Sequence, residues 1–278
     1  MRVVSYRSER GVRAGLLRDD SVIDVWDGLG GRGSSVRELL ASGRLFEAAE
    51  ISGGEPLAPA QVELEPPVPD PEKIICIGLN YRAHAAEAGI ELPEVPTFFA
   101  KFRNALAPPG TTVPLPGTSA KVDFEAEVAF VVGRRAKDVA ESDALDHVAG
   151  YTLFNDLSAR DLQFATPQWM PGKVFDRSAP CGPALVTPDE AGPEDGISFE
   201  LALNGEPMQD ASTNDLIFSV PALVAHLSWL MTLEPGDIVA TGTPAGVGST
   251  RKPRVWLKPG DQIEISSPTL GRLRTTIG

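Results

Sequence analysis

Short apolar runs separated by glycine and proline recur along the whole chain. That pattern predicts many short strands joined by turns, with few long helices. Residues 1–27 alternate, and VVSY, AGLL and SVIDVW predict three strands. Residues 35–50, SVRELLASGRLFEAAE, predict helix. The stretch 53–72 holds six prolines and predicts a linker. It divides the chain into a small N-terminal α+β domain, residues 1–65, and a larger domain, residues 66–278. The larger domain opens with a predicted strand, Lys73–Gly78, then a short helix and VPTFFAKF. VDFEAEVAFVVG (122–133) gives the clearest strand, HVAGYTLFND another, and LSARDLQF a helix. LEPGDIVATG (233–242) and LKPGDQIEIS (257–266) each place Pro-Gly at the centre of a type II turn that launches a strand. The expected class is β-rich α+β with peripheral helices.

Composition narrows the possible roles. The chain has 278 residues, 25 Lys+Arg against 38 Asp+Glu, and a formal charge of -13. No basic stripe offsets the acidic excess, which argues against a nucleic-acid partner and against an anionic membrane surface. The two cysteines, Cys76 and Cys181, are far apart and form no C-x-x-C, so neither a disulfide scaffold nor a cysteine zinc site is expected. The N-terminus lacks a long apolar run, so no signal peptide is read and a cytoplasmic location is expected. The longest uncharged stretch, residues 216–233, contains Pro221 and His226. Ser219 followed by Pro221 marks a helix start, and the apolar spacing after it predicts a packed helix instead of a membrane span.

Several segments carry residues suited to chemistry. On an unbroken strand, Val122, Phe124, Ala126, Val128, Phe130 and Val132 share an apolar face while Asp123, Glu125 and Glu127 share the other. Adjacent carboxylates on one face repel, so they sit either on a solvated edge or around a hard cation such as Mg²⁺ or Mn²⁺. Asp156, at the end of GYTLFND, is a candidate to complete such a shell. Arg160 and Gln163 lie one helical turn apart, suited to a carboxylate and a carbonyl, or they are surface residues. In GLNYRAHAAEAG, Asn80 is placed to cap a helix and Gly89 to close it. His84 and Glu87 share its face, either as a proton-handling pair or as casual neighbours. The helix is short and bounded by glycines, as a lid would be. TGTPAGVG (241–248) could present N–H groups and the Thr243 hydroxyl to an anion, or be a tight turn. His147 and His226 have no ligand-like neighbours.

The order GLNY-x-x-H-x-x-E, D-F-E-x-E, F-N-D-x-x-x-R-D-x-Q, Q-W-x-x-G-K and T-G-T-P-x-G-V-G resembles the fumarylacetoacetate hydrolase family over residues 70–278. The resemblance implies a mixed β-roll. It implies one Mg²⁺ or Mn²⁺ per chain held by Glu125, Glu127 and Asp156, with Asp123 in support. It further implies a catalytic His84–Glu87 pair on a lid helix, Lys173 facing the reacting carbonyl, and Arg160, Gln163, Thr243 and Tyr81 in the substrate pocket. Homodimers are usual in the family. The implied reaction is metal-dependent hydrolysis of a C–C bond in a β-diketo acid of the acylpyruvate type, such as fumarylpyruvate. Keto–enol or double-bond isomerisation (as of 2-hydroxyhepta-2,4-diene-1,7-dioate) and oxaloacetate decarboxylation use the same enolate. A non-enzymatic metal-binding module is the reading from a different class. Arg177-Ser178 stand where relatives often carry small uncharged residues, which bears on substrate choice.

Overall fold

A computed structural model describes the whole chain except residues 19–20, 52 and 59–61. At the N-terminus β1 (Arg2–Ser8), β2 (Gly11–Arg18) and β3 (Ser21–Asp24) form an antiparallel meander. The third strand stops earlier than its alternation suggests. Asp24 accepts a hydrogen bond from the Asp27 N–H and caps α1 (Val25–Gly28), so Val25 and Trp26 turn inward on a helix. The 35–50 pattern also divides. A capping box between Ser35 and Glu38 starts α2 (Val36–Ala41), Gly43 at φ 70° breaks it, and residues 46–50 form a separate 3₁₀ turn. In the proline-rich stretch, residues 59–61 lie outside the described residues. Further on, β4 (Glu63–Glu65) pairs with β1.

After it come β5 (Ile74–Gly78), α3 (Arg82–Ala88), β6 (Thr97–Lys101), β7 (Leu106–Ala107) and β8 (Thr112–Val113). VDFEAEVAFVVG is not one strand: β9 (Val122–Asp123) and β10 (Ala126–Val132) flank a break at Phe124–Glu125. Then follow β11 (Val148–Asn155), β12 (Ser158–Ala159) and the four-residue α4 (Arg160–Gln163), shorter than the LSARDLQF pattern suggests. The chain continues through β13 (Ala179–Val186), α5 (Pro188–Ala191), β14 (Ser198–Leu203), β15 (Glu206–Ser212) and α6 (Val220–Leu230). It closes with β16 (Ile238–Ala240), β17 (Gln262–Ser267) and β18 (Gly271–Ile277).

Two Pro-Gly turns behave as their spacing predicts. Gly236 and Gly260 lie at φ 91° and 93°, and the Asp237 and Asp261 N–H groups bond back to Glu234 and Lys258 carbonyls. The Ser219 hydroxyl caps α6 by accepting from the Ala222 N–H. No helix among the described residues is long and apolar enough to cross a membrane.

One large mixed sheet runs in the order β3-β2-β1-β13-β11-β10-β16-β5-β6, and a second runs β15-β14-β17-β18-β8. Most pairs are antiparallel, but β16 joins β5 in parallel. The architecture is the expected β-rich α+β fold, with curled sheets that do not close into a barrel. Strand β10 shows how both faces are covered. Val128, Phe130 and Val132 enter the core shared with the second sheet, while Ala129 and Val131 pack in a cluster with Val25, Trp26 and Leu39 of the N-terminal segment. Burial on both faces explains why the strand reads as a nearly continuous apolar run. Ala129 and Val131, on the odd-numbered face that also carries Glu127, are therefore fully buried.

Candidate active site

The break between β9 and β10 is built by Asp123. Its carboxylate accepts from the N–H groups of Phe124 (2.9 Å), Gly248 (2.8 Å) and Ser249 (3.0 Å), and from Arg160 Nε (2.9 Å). A β-carbon on Gly248 would stand 2.6 Å from that carboxylate and 2.1 Å from the Val255 carbonyl, so glycine is required there. Asn155 Oδ1 accepts from the Glu125 N–H at 3.2 Å, and the Asp156 N–H donates to the Glu125 carbonyl at 2.9 Å. These bonds turn Glu125 toward the side chains of Glu127 and Asp156. The oxygens of the three acids come within 4.8 Å of one another. Their exposures of 5%, 1% and 0% overturn the solvated-edge reading.

Buried carboxylates need partners. Lys173 Nζ donates to Glu125 at 2.7 Å and to Asp156 at 2.8 Å. Lys101 Nζ donates to the other Asp156 oxygen at 2.6 Å, and Arg160 Nη1 lies 2.7 Å from Glu125. Glu127 is different: its bond is to the Gly242 N–H at 2.8 Å, and no cation pairs with it among the described residues. Four buried acids thus face three buried bases.

The titration of two acids follows from this arrangement. Burial pushes Glu125 up, but Arg160 and Lys173 outweigh it and hold the carboxyl down at about 2. Burial, together with Asp156 and Glu125, raises Glu127 well above the ordinary carboxylate range. Three oxygen donors in close reach, one lacking a cation, fit a hard divalent ion.

The cluster opens into a cavity of about 870 Å³. Helix α3 contributes His84 and Glu87 to its wall. His84 Nδ1 lies 3.3 Å from Glu87 Oε2, and Glu87 also accepts from the Gly246 N–H at 3.1 and 3.2 Å. Gly89 closes α3 at φ 65° as expected. Asn80 does not cap it. Its amide instead donates to the Phe218 and Thr241 carbonyls and accepts from the Phe218 N–H, tying α3 to the start of α6 and the end of β16.

On α4, Arg160 Nη1 donates to Gln163 Oε1 at 2.9 Å, so the predicted face is real, and both side chains line the cavity. Arg160 Nη2 and Gln163 Nε2 have no protein partner among the described residues. Gly172 permits this approach, since a β-carbon there would meet the Ala159 carbonyl and Gln163 N–H at 2.5 Å. Lys173 also sits 4.8 Å from the centre of the Phe99 ring.

The TGTPAGVG loop is less open than its sequence suggests. The N–H groups of Gly242, Gly246 and Gly248 go to Glu127, Glu87 and Asp123. The Thr243 hydroxyl lines the cavity, but it donates to the Ala126 carbonyl and accepts from Gln209. Tyr81 is fully buried, packed edge-on against Phe199, and is absent from the cavity wall. His147 contacts the Arg134 carbonyl and His226 lies beside Trp229, both away from the cavity. Sequence reasoning missed Lys101 and Gln209. Lys101 shares a strand face with Phe99, which a period-two reading of TFFAK could have flagged.

Residues 73–278 match the family described as fumarylacetoacetate (FAA) hydrolase, C-terminal. Oxaloacetate tautomerase fahd2, mitochondrial, of Xenopus laevis is 40% identical over 248 residues, covering 87% of this chain and 78% of that protein. The crystal structure of 5-carboxymethyl-2-hydroxymuconate delta-isomerase from Mycobacterium smegmatis superposes with a TM-score of 0.81 at 31% identity, covering 100% of this chain and 98% of that one. Maleylpyruvate hydrolase from Sphingobium sp. SYK-6 gives the same TM-score and identity, covering 100% and 99%. The fold is that of an enzyme family whose members act on small organic acids, and the buried acidic triad under the cavity could hold a divalent metal. The chain belongs to the fumarylacetoacetate hydrolase family.

Proposed function

We propose that the protein catalyses proton transfer on a 2-oxo acid, interconverting keto and enol or double-bond isomers, with oxaloacetate among its substrates. The observation that carries this reading is the meeting of the His84–Glu87 pair and the triad Glu125, Glu127 and Asp156 in one cavity. The names of the Xenopus tautomerase and the mycobacterial isomerase support it. Glu125, Glu127 and Asp156 would hold a divalent cation, Mg²⁺ or Mn²⁺, whose charge would make the carbon next to the 2-oxo group more acidic.

The chain's own residues do the rest. Arg160 Nη2 and Gln163 Nε2, the free donors on α4, hold the substrate carboxylate. His84 takes the proton from the carbon beside the 2-oxo group and returns it at the oxygen or further along the chain. Glu87 keeps the imidazole ring oriented, itself fixed by the Gly246 N–H. Lys173 keeps Glu125 and Asp156 in place and neutralises part of their charge. His84→Ala should lower kcat for oxaloacetate keto–enol exchange by about 10²–10⁴-fold. Undiminished exchange in that variant rejects the reading.

Hydrolysis of an acylpyruvate is the second reading. It is supported by the Sphingobium hydrolase and by a His–Glu pair suited to activating a water. In that reaction the water would attack the distal carbonyl, Lys173 would face the resulting oxyanion, and the C–C bond would break to give a carboxylic acid and the enolate of pyruvate, which takes up a proton. Two of the three Lys173 N–H groups already bond to Glu125 and Asp156, so proton transfer asks less of this geometry. Pyruvate release from acetylpyruvate, assayed beside oxaloacetate exchange, separates the two.

A further inference from the structure

We propose that Asp215 is a positioning residue for the proton-handling pair: its carboxylate, 132 positions away in the chain, fixes the helix that carries His84 and Glu87 into the cavity. The inference deepens the proton-transfer reading and rests on it.

Helix α3 cannot hold itself in place. It has seven residues, of which only Ala85 is buried. A helix that short is unstable on its own, and one alanine supplies little packing. Its N-terminus is not capped locally either. Tyr81, the residue before it, makes no capping bond, and Asn80 is engaged with Phe218 and Thr241. The first N–H groups of a helix have no partner inside it. Asp215 Oδ2 accepts from one of them, the Ala83 N–H, at 2.9 Å. A carboxylate at that point also faces the positive end of the helix.

The segment around Asp215 holds the same end of α3 by its backbone. Arg82 Nη1 donates to the Asp215 and Leu216 carbonyls, Tyr81 forms an antiparallel bridge with Leu216, and the Ile217 N–H donates to the Asn80 carbonyl at 2.8 Å. At the other end Glu87 meets the Gly246 N–H, and residues 88–92 are exposed. His84 follows directly on the capped residue, so its ring moves with the end that Asp215 fixes. Of the bonds from this segment, the one from Asp215 to Ala83 is made by a side chain, so it can be removed while the backbone bonds stay. Arg160 and Gln163, which hold the substrate carboxylate in this reading, lie on α4 and do not touch Asp215. A displaced α3 should therefore slow the proton step and spare binding.

Asp215→Ala removes the acceptor, whereas Asp215→Asn keeps an oxygen for the Ala83 N–H. In the Mg²⁺-loaded full-length protein, kcat for oxaloacetate keto–enol exchange should fall about five- to ten-fold in Asp215→Ala, with KM within about two-fold. Asp215→Asn should restore kcat to within about two-fold of the parent. Amide hydrogen exchange over residues 82–88 should be about five-fold faster in Asp215→Ala, in a His84→Ala background as well, and unchanged over β10 and β11. Unchanged amide exchange over α3, an unchanged kcat, an acceleration spread over the whole chain, or equal losses in the Ala and Asn variants overturns the assignment. The proton-transfer reading fails separately, when Asp215→Ala loosens α3 as expected but His84→Ala interconverts oxaloacetate as fast as the parent.

Discussion

Two charge clusters among the described residues, one half-buried and one buried, are built on opposite terms. Near the N-terminus Asp24 receives both Arg13 and the Tyr6 hydroxyl (2.6 Å), while Asp27 is met by Arg10 at 2.6 Å and Arg13 at 3.1 Å. Two acids face two arginines and the account closes. Burial there opposes the Asp24 charge, yet Arg13 and Tyr6 still hold its carboxyl below the ordinary value. In the cavity, four acids face three bases, and Glu127 is left with one backbone N–H. The first cluster is complete as protein alone. The second leaves one acid without a cation, as a set of acids that could hold a divalent metal would.

The sharpest way to break the comparison is to replace the odd acid. Glu127→Gln keeps an oxygen for the Gly242 N–H, so it should leave thermal stability in chelator unchanged or raised. Turnover of oxaloacetate enol should still fall by about 10³-fold or more. Glu125→Gln should look different, because it strips Arg160 and Lys173 of a shared partner and should lower the melting temperature as well as the activity. Asp24→Asn should invert the pattern again. It leaves Arg13 without its buried counter-charge and should cost roughly 3 kcal/mol in urea unfolding, with kcat within about two-fold of the parent.

Acid titration sharpens the same contrast. The Asp24 pKa is lowered in the folded state, so its contribution is present above the unfolded carboxylate pKa and is lost as pH falls through the folded value. Urea midpoints measured toward acid pH should therefore decline less steeply in Asp24→Asn than in the parent. The smallest effect belongs to an exposed cluster. Glu264 pairs with Arg272 and Arg274 in solvent, and Glu264→Gln should shift unfolding by less than about 1 kcal/mol. A larger shift there would mean that counting ion pairs, and not their burial, governs this protein.

Much of this was legible from sequence where local rules decide. The Pro235-Gly236 and Pro259-Gly260 turns, the Ser219 cap and the Gly89 stop all depend on residues within one turn of each other. The triad was legible too, as an ordered set of motifs, although spacing alone left a solvated edge open. What could not be read depends on distant partners. Lys101 meets Asp156 across 55 positions, and Asp123 is held by Gly248 and Ser249 more than a hundred residues later. Those bonds break the VDFEAEVAFVVG strand, which local alternation would continue. Asn80 has the right chemistry for a helix cap, but Phe218 and Thr241 claim it through tertiary contact. Tyr81, next to it, follows the core and not the cavity.

The most direct test is a calorimetric titration of Mn²⁺ into the chelator-stripped full-length protein and its Glu127→Gln variant. The charge shortage at the cavity floor predicts one ion per chain in the parent and affinity lower by about 100-fold or more in the variant. Equal affinity in the two proteins, or no ion bound by the parent, would contradict it.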